Sequence, residues 1–516
     1  MIEKLILPFV KKTVLLYLFV FPGKFKFKFL NNLNFRIIDF NDYEKNKNII
    51  FRNDFYKLEK NSIIRNFDFI NLCNSLGGKR GIELAKLGIF KCYNINKFKT
   101  NTFWNTEHIA NRVFNLVNNF DFINSISTKK DEDNLRKLLK INIAAFNKFL
   151  FYKNIFDYSF LEFKVYILIK CILGNKITNL KNDFEKITEN QIDSFAMHKS
   201  YNIFEQAKCI NNIDEIIIIL LNFNYDVPEV LYVSKVRMET VLAQYFHKDS
   251  SLALFNGVSN NNTKKIKLAL SGKKNIRKIK FPNSSNGLFF FEDKYKKIFL
   301  DAVQPTSSLH SKKLSAGTLS LEFSSEKEKI ITNCGAVEKS TGNAAYLRYS
   351  AAHSTIVLEN TNISEIRDNQ PHIKYPQIVS FKSQLDNTKH TIEASHNGYL
   401  KNYKKIVKRK INFQEIENHL MGEDSIISST SENKEVVFHI RFHIMPNINI
   451  TQINNKRSII LKTERGNIWL FKANKDIVLE ESVYVDKNNI KQTNQIVIKG
   501  ITRNNREKIN WSLSKK

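Results

Sequence analysis

The chain has 516 residues, 42% of them apolar and 25% charged, a balance that suits folded domains and excludes a chain dominated by disorder. One hydrophobic core rarely organises so many residues, so two domains are expected. Lys and Arg number 80 against 50 Asp and Glu, and the formal charge of +30 favours a polyanionic partner: nucleic acid, an anionic membrane face or an acidic polysaccharide. The lysines, however, are scattered among many Asn and Ile, as a biased composition leaves them. No nucleic-acid reading motif and no aromatic-interleaved basic patch occurs, so nucleic acid is not an expected partner.

Residues 1–30 form an apolar and basic N-terminal segment. Lys11 and Lys12 precede the apolar run Thr13–Pro22, and Lys24, Lys26 and Lys28 follow it. The run is shorter than the ~20 residues a bilayer span needs. It resembles a signal-peptide core, yet no small-x-small cleavage site follows. A buried or membrane-surface helix is an equal expectation, and no stable transmembrane span is expected anywhere in the chain.

Residues 31–256 read as a helical domain. Ile109, Val113, Leu116 and Val117 fall on one stripe at helical spacing. Similar stripes recur over Leu135–Phe151, Tyr158–Leu173, Phe204–Leu221 and Val230–Phe246, separated by short polar connections. Serial helices with short loops predict antiparallel neighbours, hence an (α/α) toroid of helical hairpins. Ser, Asn and Gly crowd 256–262, and residues 257–286 read as a linker.

From Gly287 to the end the chain reads as an antiparallel β-sandwich, giving an α+β multidomain architecture. The predicted strands are Leu288–Phe291, Lys297–Val303, Thr318–Phe323, Ile330–Asn333, Ser354–Leu358, Lys404–Phe413, Val436–Ile444, Ser458–Lys462 and Ile496–Lys499. In Val436–Ile444, His439, Arg441 and His443 alternate with Ile440, Phe442 and Ile444 and therefore share one strand face. Histidines four apart on a strand stand about 13 Å apart, too far for one ion. That face suits an anionic glycan or solvent. Five widely spaced cysteines, Cys73, Cys92, Cys171, Cys209 and Cys334, suggest neither a thiolate zinc site nor a disulfide framework.

Several stretches of the second half carry a resemblance. They are the run Ser315-Ala316-Gly317-Thr318-Leu319-Ser320-Leu321-Glu322-Phe323-Ser324, then Ile331-Thr332-Asn333-Cys334-Gly335, then Arg348 to Leu358 with His353 at its centre. His396-Asn397-Gly398-Tyr399, Arg441-Phe442-His443 and Leu479–Tyr484 continue it. In order and spacing these stretches resemble the heparinase II/III-like polysaccharide lyases. The likeness is thinner in the helical half, where Trp104, Arg112, Asn115 and Ser250–Gly257 fit.

The resemblance implies β-elimination of a uronate-containing acidic polysaccharide at the cell envelope or in the periplasm. That reaction needs a donor to neutralise the uronate carboxylate, a base for the α-proton and an acid for the leaving oxygen. It needs no cofactor, and a divalent metal has little support in the sequence: Asn333 stands where some metal-binding relatives carry an acidic ligand. Asp193–Asn202 falls where the family's helical-domain catalytic loop lies, with His198 and Tyr201 as proton-moving groups and Asn202 as a substrate-binding carboxamide. His353, at a strand entrance, completes the catalytic set, and Arg348 and His443 are expected to bind substrate.

Against each stands a plainer role. His198 and Tyr201 could pack a helix start capped by Ser200, and His353 could bond only to backbone. Ser315 stands where active relatives carry a histidine, and Ser159–Glu162 holds none of the Asn or His that relatives use to neutralise the carboxylate. Asp193-Ser194 replaces a familiar Asp-Gly. These departures support an alternative: a catalytically impaired relative that binds an envelope glycan without cleaving it.

Overall fold

In the computed structural model the described residues are Ile50, 62–97, 102–270, 287–305, 312, 314–337, 342–367, 374–386, 389–414, 419–431, 434–453, 456–486 and 489–516. The N-terminal segment 1–30 and residues 271–286 of the expected linker lie outside them. The chain divides into two compact units: residues up to Ile192 with Lys208–Arg237, and Asp193–Ala207 with Met238–Lys516.

The first unit is helical. It holds α1 (Phe69–Leu76), α2 (Gly78–Asn96), α3 (Thr106–Asn118), α4 (Lys129–Phe151), α5 (Phe160–Leu173) and α6 (Leu180–Gln191), with most of α7 (Ile203–Asn222) and α8 (Glu229–Ala243). Helices therefore begin well before Phe103, where the apolar stripe first becomes clear. The starts and stops follow local chemistry. Thr128 and Asp131 form a capping box on α4, Ser159 and Glu162 form another on α5, and α5 ends on the left-handed Gly174. Helix α3 packs against α4 and α5. Arg112 of α3 is fully buried, donating to Asn142 Oδ1 at 2.9 Å and to the carbonyls of Arg65 and Phe103 at 2.7 and 2.8 Å. Glu162, in the segment where the resemblance places a carboxylate-neutralising residue, is committed to its cap and to Lys153 at 2.7 Å.

The second unit contains two antiparallel sheets. One runs in the order β1 (Gly287–Glu292), β2 (Lys296–Ala302), β3 (Leu321–Ser325), β4 (Glu328–Thr332), β10 (Val437–Ile444), β15 (Asn489–Ile501), β14 (Ile477–Asp486), and β5 (Ile356–Leu358) also pairs with β10. The other runs β11 (Asn449–Gln452), β12 (Ser458–Lys462), β13 (Ile468–Ala473), β16 (Arg506–Lys515), β9 (His419–Ser428), β8 (Lys405–Gln414), β7 (Lys389–His396), β6 (Ile378–Asp386). Ile440, Phe442 and Ile444 of β10 point into a shared core, where Phe442 meets Phe471 and Trp511 at ring separations of 5.0 and 4.8 Å. The two sheets pack as a sandwich, and a helical region followed by an antiparallel β-sandwich is the class expected from the sequence.

Three local expectations change. Thr318–Phe323 is not one strand: Gly317–Ser320 is a turn closed by Ser320 N to Gly317 O at 2.8 Å, and the strand starts at Leu321. The expected linker contains a helical segment, Thr263–Ala269. Met238–Asn256, read as the end of the helical domain, belongs to the compact unit of the sheets. Among the described residues no helix is long and apolar enough to cross a membrane.

Candidate functional site

The loop 193–202 is shaped by its own polar groups. Asp193 Oδ1 accepts from Phe195 N and Met197 N, each at 2.9 Å, and Ala196 and Tyr201 adopt left-handed backbone at φ 63° and 48°. Gln206 holds the loop from α7, accepting from His198 N at 2.6 Å and donating to Ala196 O at 2.8 Å. This folding decides what each side chain can do.

His198 is buried, and its Nδ1 accepts from Ser200 N at 3.1 Å and lies 2.7 Å from Ser200 Oγ. The lone pair a base would use is thus engaged within the loop. Asn202, expected to bind substrate, caps α7 instead, and it takes the role expected of Ser200. Its Oδ1 accepts from Phe204 N and Glu205 N at 2.9 and 3.2 Å, and its Nδ2 donates to Asn256 O at 2.8 Å. The carboxamide oxygen and one of its N–H groups are thus engaged within the protein.

Tyr201 differs. Its phenol stands near the Asp193 carboxylate, and both residues line a cavity of about 10 Å³ with Phe195, Met197 and Tyr245. That is about the room one water needs. Burial pushes the Tyr201 phenol well above its usual range, with the Asp193 charge adding to it. Burial also raises the Asp193 carboxyl, against the hydrogen bonds that lower it. Below the cavity, burial lifts Asp301 of β2 to about 7, opposed by its bond from Val303 N at 3.0 Å. The side chain of Asp301 falls on the same strand face as Phe299, which stacks on Tyr245 at 5.7 Å.

Asn256 joins the loop to the family-like run. Its carbonyl takes the Asn202 amide, and its Oδ1 accepts from Ser315 N at 3.2 Å. Its Nδ2 is buried without a hydrogen-bond partner. Two residues past Ser315, Gly317 lies under the ring of His353, where a Cβ would stand 2.9 Å from Cγ.

His353 ends a short turn before β5 and is 3% exposed, so it lines no open surface as the strand-entrance position had led one to expect. Neither ring nitrogen has a partner, and burial lowers its pKa to about 4, so the imidazole is neutral. His443, on the predicted face of β10, is equally buried, with Nδ1 2.6 Å from Ser482 Oγ and 3.6 Å from Cys334 Sγ. Burial, then neighbouring His353 and Arg441, lowers it to about 3. A buried neutral imidazole does not offer the charge a substrate carboxylate seeks. On the same face Arg441 donates to Glu480 at 3.0 Å and Gln495 at 3.2 Å. Arg348 does not present an open fork either. Its Nε and Nη2 donate to Leu314 O at 3.3 and 2.9 Å, and its Nη1 to Arg367 O at 3.4 Å.

The residues around His353 do not make a metal centre. Asn333 Oδ1 accepts from Ser354 N at 2.9 Å, which leaves its unpartnered Nδ2, a donor rather than a ligand. Among the described residues no three His, Cys, Asp or Glu converge.

Sequence reasoning passed over Asp193 as a functional partner, and placed Asn256 only within a family-like stretch, with no role. Asp193 was within reach of it, since a carboxylate eight residues from a tyrosine in a tight loop is a ready acceptor. The orphaned amide of Asn256 appears only once Ser315 and Asn202 have folded onto it.

Residues 278–512 match the family model described as Heparinase II/III-like, C-terminal. No curated protein matches the chain in sequence. Solved structures similar in fold include a heparinase III gene product, with TM-score 0.66 and 11% identity, covering 98% of this chain and 88% of that one. Another heparinase III structure aligns with TM-score 0.65 and 12% identity, covering 98% and 84%. The heparan sulfate lyase HepC from Pedobacter heparinus aligns with TM-score 0.57 and 12% identity, covering 98% and 83%. The resemblance read in the second half thus rests on a matched family domain, and that in the first half on fold. Residues 278–512 thus carry a heparinase II/III-like C-terminal domain, and the chain as a whole shares the fold of the heparinase III structures.

Proposed function

We propose that the protein acts on a uronate-containing acidic polysaccharide at the cell envelope by β-elimination, with Tyr201 as the proton-handling group. The observation that carries this reading is that Tyr201 and Asp193 line one cavity, in the loop where the family's catalytic residues fall. In the elimination, the C–H bond α to the uronate carboxylate breaks, a C=C bond forms and the glycosidic C–O bond breaks. Tyr201 oxygen takes the α-proton while the phenol's own proton passes to Asp193, whose raised affinity suits it to receive one. The phenol then protonates the leaving oxygen and recovers its proton from Asp193. A net charge of +30 draws a polyanion toward the protein.

A second reading, glycan binding without cleavage, is favoured by Asn202 and Arg348 being spent on carbonyls and caps and by Ser315 carrying no proton-moving imidazole. An assay for the unsaturated uronate on a panel of acidic glycans separates the two. The panel starts with heparan sulfate, which the similar Pedobacter heparinus enzyme is named for cleaving. Product that disappears in Tyr201→Phe while binding persists supports elimination. Binding with no product in the unaltered protein supports the second reading. Failure to bind any acidic glycan overturns both.

A further inference from the structure

Arg409 and Asp424 stand opposite each other on β8 and β9, both fully buried in the sandwich core. Alternation along β8 puts Val407, Ile411 and Phe413 on the same inward face. Burying such a pair gives little net stability, and apolar replacements of similar volume are often as stable or more so. Its placement therefore calls for another reason, which the hydrogen bonds supply.

Arg409 Nε and Nη2 fork onto the Asp424 carboxylate at 2.7 and 2.8 Å. The remaining Nη1 reaches the other sheet and donates to Leu319 O at 2.7 Å and Ser354 O at 2.8 Å. Trp511 Nε1 holds the carboxylate from the other side at 3.0 Å. Gly422 makes room for that indole, since a Cβ there would lie 2.1 Å from it.

The two carbonyls belong to the segments that place His353. Leu319 closes the turn from Gly317 with φ 62°, a region that leucine avoids without outside support. Gly317 carries the His353 ring, and Ser354 is the next residue after it. We propose that Arg409 is a positioning residue: its Nη1 ties the Gly317–Leu319 turn to the His353–Ser354 segment and so fixes the His353 imidazole against Gly317. The importance of that placement for glycan rests on the expectation from the family resemblance that His353 belongs to the polysaccharide site; the tether itself does not.

The test is the double variant Arg409→Met with Asp424→Leu in the full chain, which removes both charges and keeps apolar volume. It is expected to fold with a lowered Tm, because Leu319 O loses this donor and Trp511 Nε1 its acceptor. In histidine side-chain NMR, the ring signals of His353, assigned by their loss in His353→Gln, are expected to shift and to titrate closer to the ordinary histidine range. Glycan turnover or binding should fall at least about tenfold, as a displaced site group would cause. Unchanged His353 signals and titration in the folded double variant overturn the proposal. A double variant that cannot fold overturns it too, because the pair then serves the fold. Moved ring signals with unaltered glycan behaviour uphold the tether and remove His353 from the functional site.

Discussion

His353 and Gly317 are in such close contact that the glycine has no room for a side chain: a Cβ at 317 would stand 2.9 Å from the imidazole Cγ. Gly317→Ala must therefore push the ring or the turn aside. Overpacking of this kind costs about 1–3 kcal/mol. We expect a lower midpoint in denaturant unfolding at unchanged m-value, and a changed His353 ring signal. Wild-type stability with an unmoved ring would mean that the turn yields freely.

Asp193 lines the same cavity as Tyr201 and is also the anchor for two loop amides. Asp193→Asn keeps a carbonyl oxygen for those amides but cannot receive the phenol's proton. Turnover of a cleaved glycan should drop on the order of 10²-fold, as loss of a general acid–base group does. KM should change little. An equal rise in KM with intact kcat would assign Asp193 to binding.

Stability should fall in acid through the buried histidines. His353 and His443 titrate near 4 and 3 in the folded chain, against about 6.5 when unfolded. Between those limits the unfolded chain binds more protons, so stability is full above about pH 6.5 and declines as pH falls toward 4 and then 3. Each group contributes a slope of about 1.4 kcal/mol per pH unit in its window. Unfolding free energies measured from pH 7 to 4 should show it, and His353→Gln should flatten the curve.

Asp301 has the opposite sign. Its folded pKa of about 7 lies above the ordinary 3.8, so the folded chain retains a proton that the unfolded chain has lost, and stability declines as pH rises from about 4 to 7. Asp301→Asn keeps the acceptor for Val303 N and removes the buried charge. The variant should be more stable than the parent at pH 8, on the order of 2–4 kcal/mol, and close to it in strong acid. Equal stability at both pH values would show that the carboxylate is solvated.

The fold was largely legible because its signals are local. Ile109, Val113, Leu116 and Val117 announce α3, and the β10 alternation separates His439, Arg441 and His443 from Ile440, Phe442 and Ile444 as the sheet does. Strands with polar residues on the outer face, such as β14 and β16, lacked the apolar density that marks a strand and were passed over. Site chemistry was harder to read, because residue type states capacity and only packing states use. Asn202 could donate to a sugar and is spent on a cap. Arg409 reads as a surface charge and lies at the centre of the core. His353 was recognised by its neighbours in sequence, but its burial depends on Gly317, thirty-odd positions earlier.

Glu322 of β3 has a bearing on how this architecture can be divided. Its carboxylate receives His247 Nε2 at 2.8 Å, Leu254 N at 3.1 Å, Lys329 Nζ at 3.1 Å and Asn333 N at 2.9 Å. A sheet fragment cut to begin at Gly287 would strip away two of those donors, His247 and Leu254 N, and leave the carboxylate with only its partners from β4 and the residue after it. Recombination between relatives, natural or engineered, should therefore succeed when the crossover keeps residues 238–256 with the strands. It should fail within 257–286, the stretch that reads as a linker.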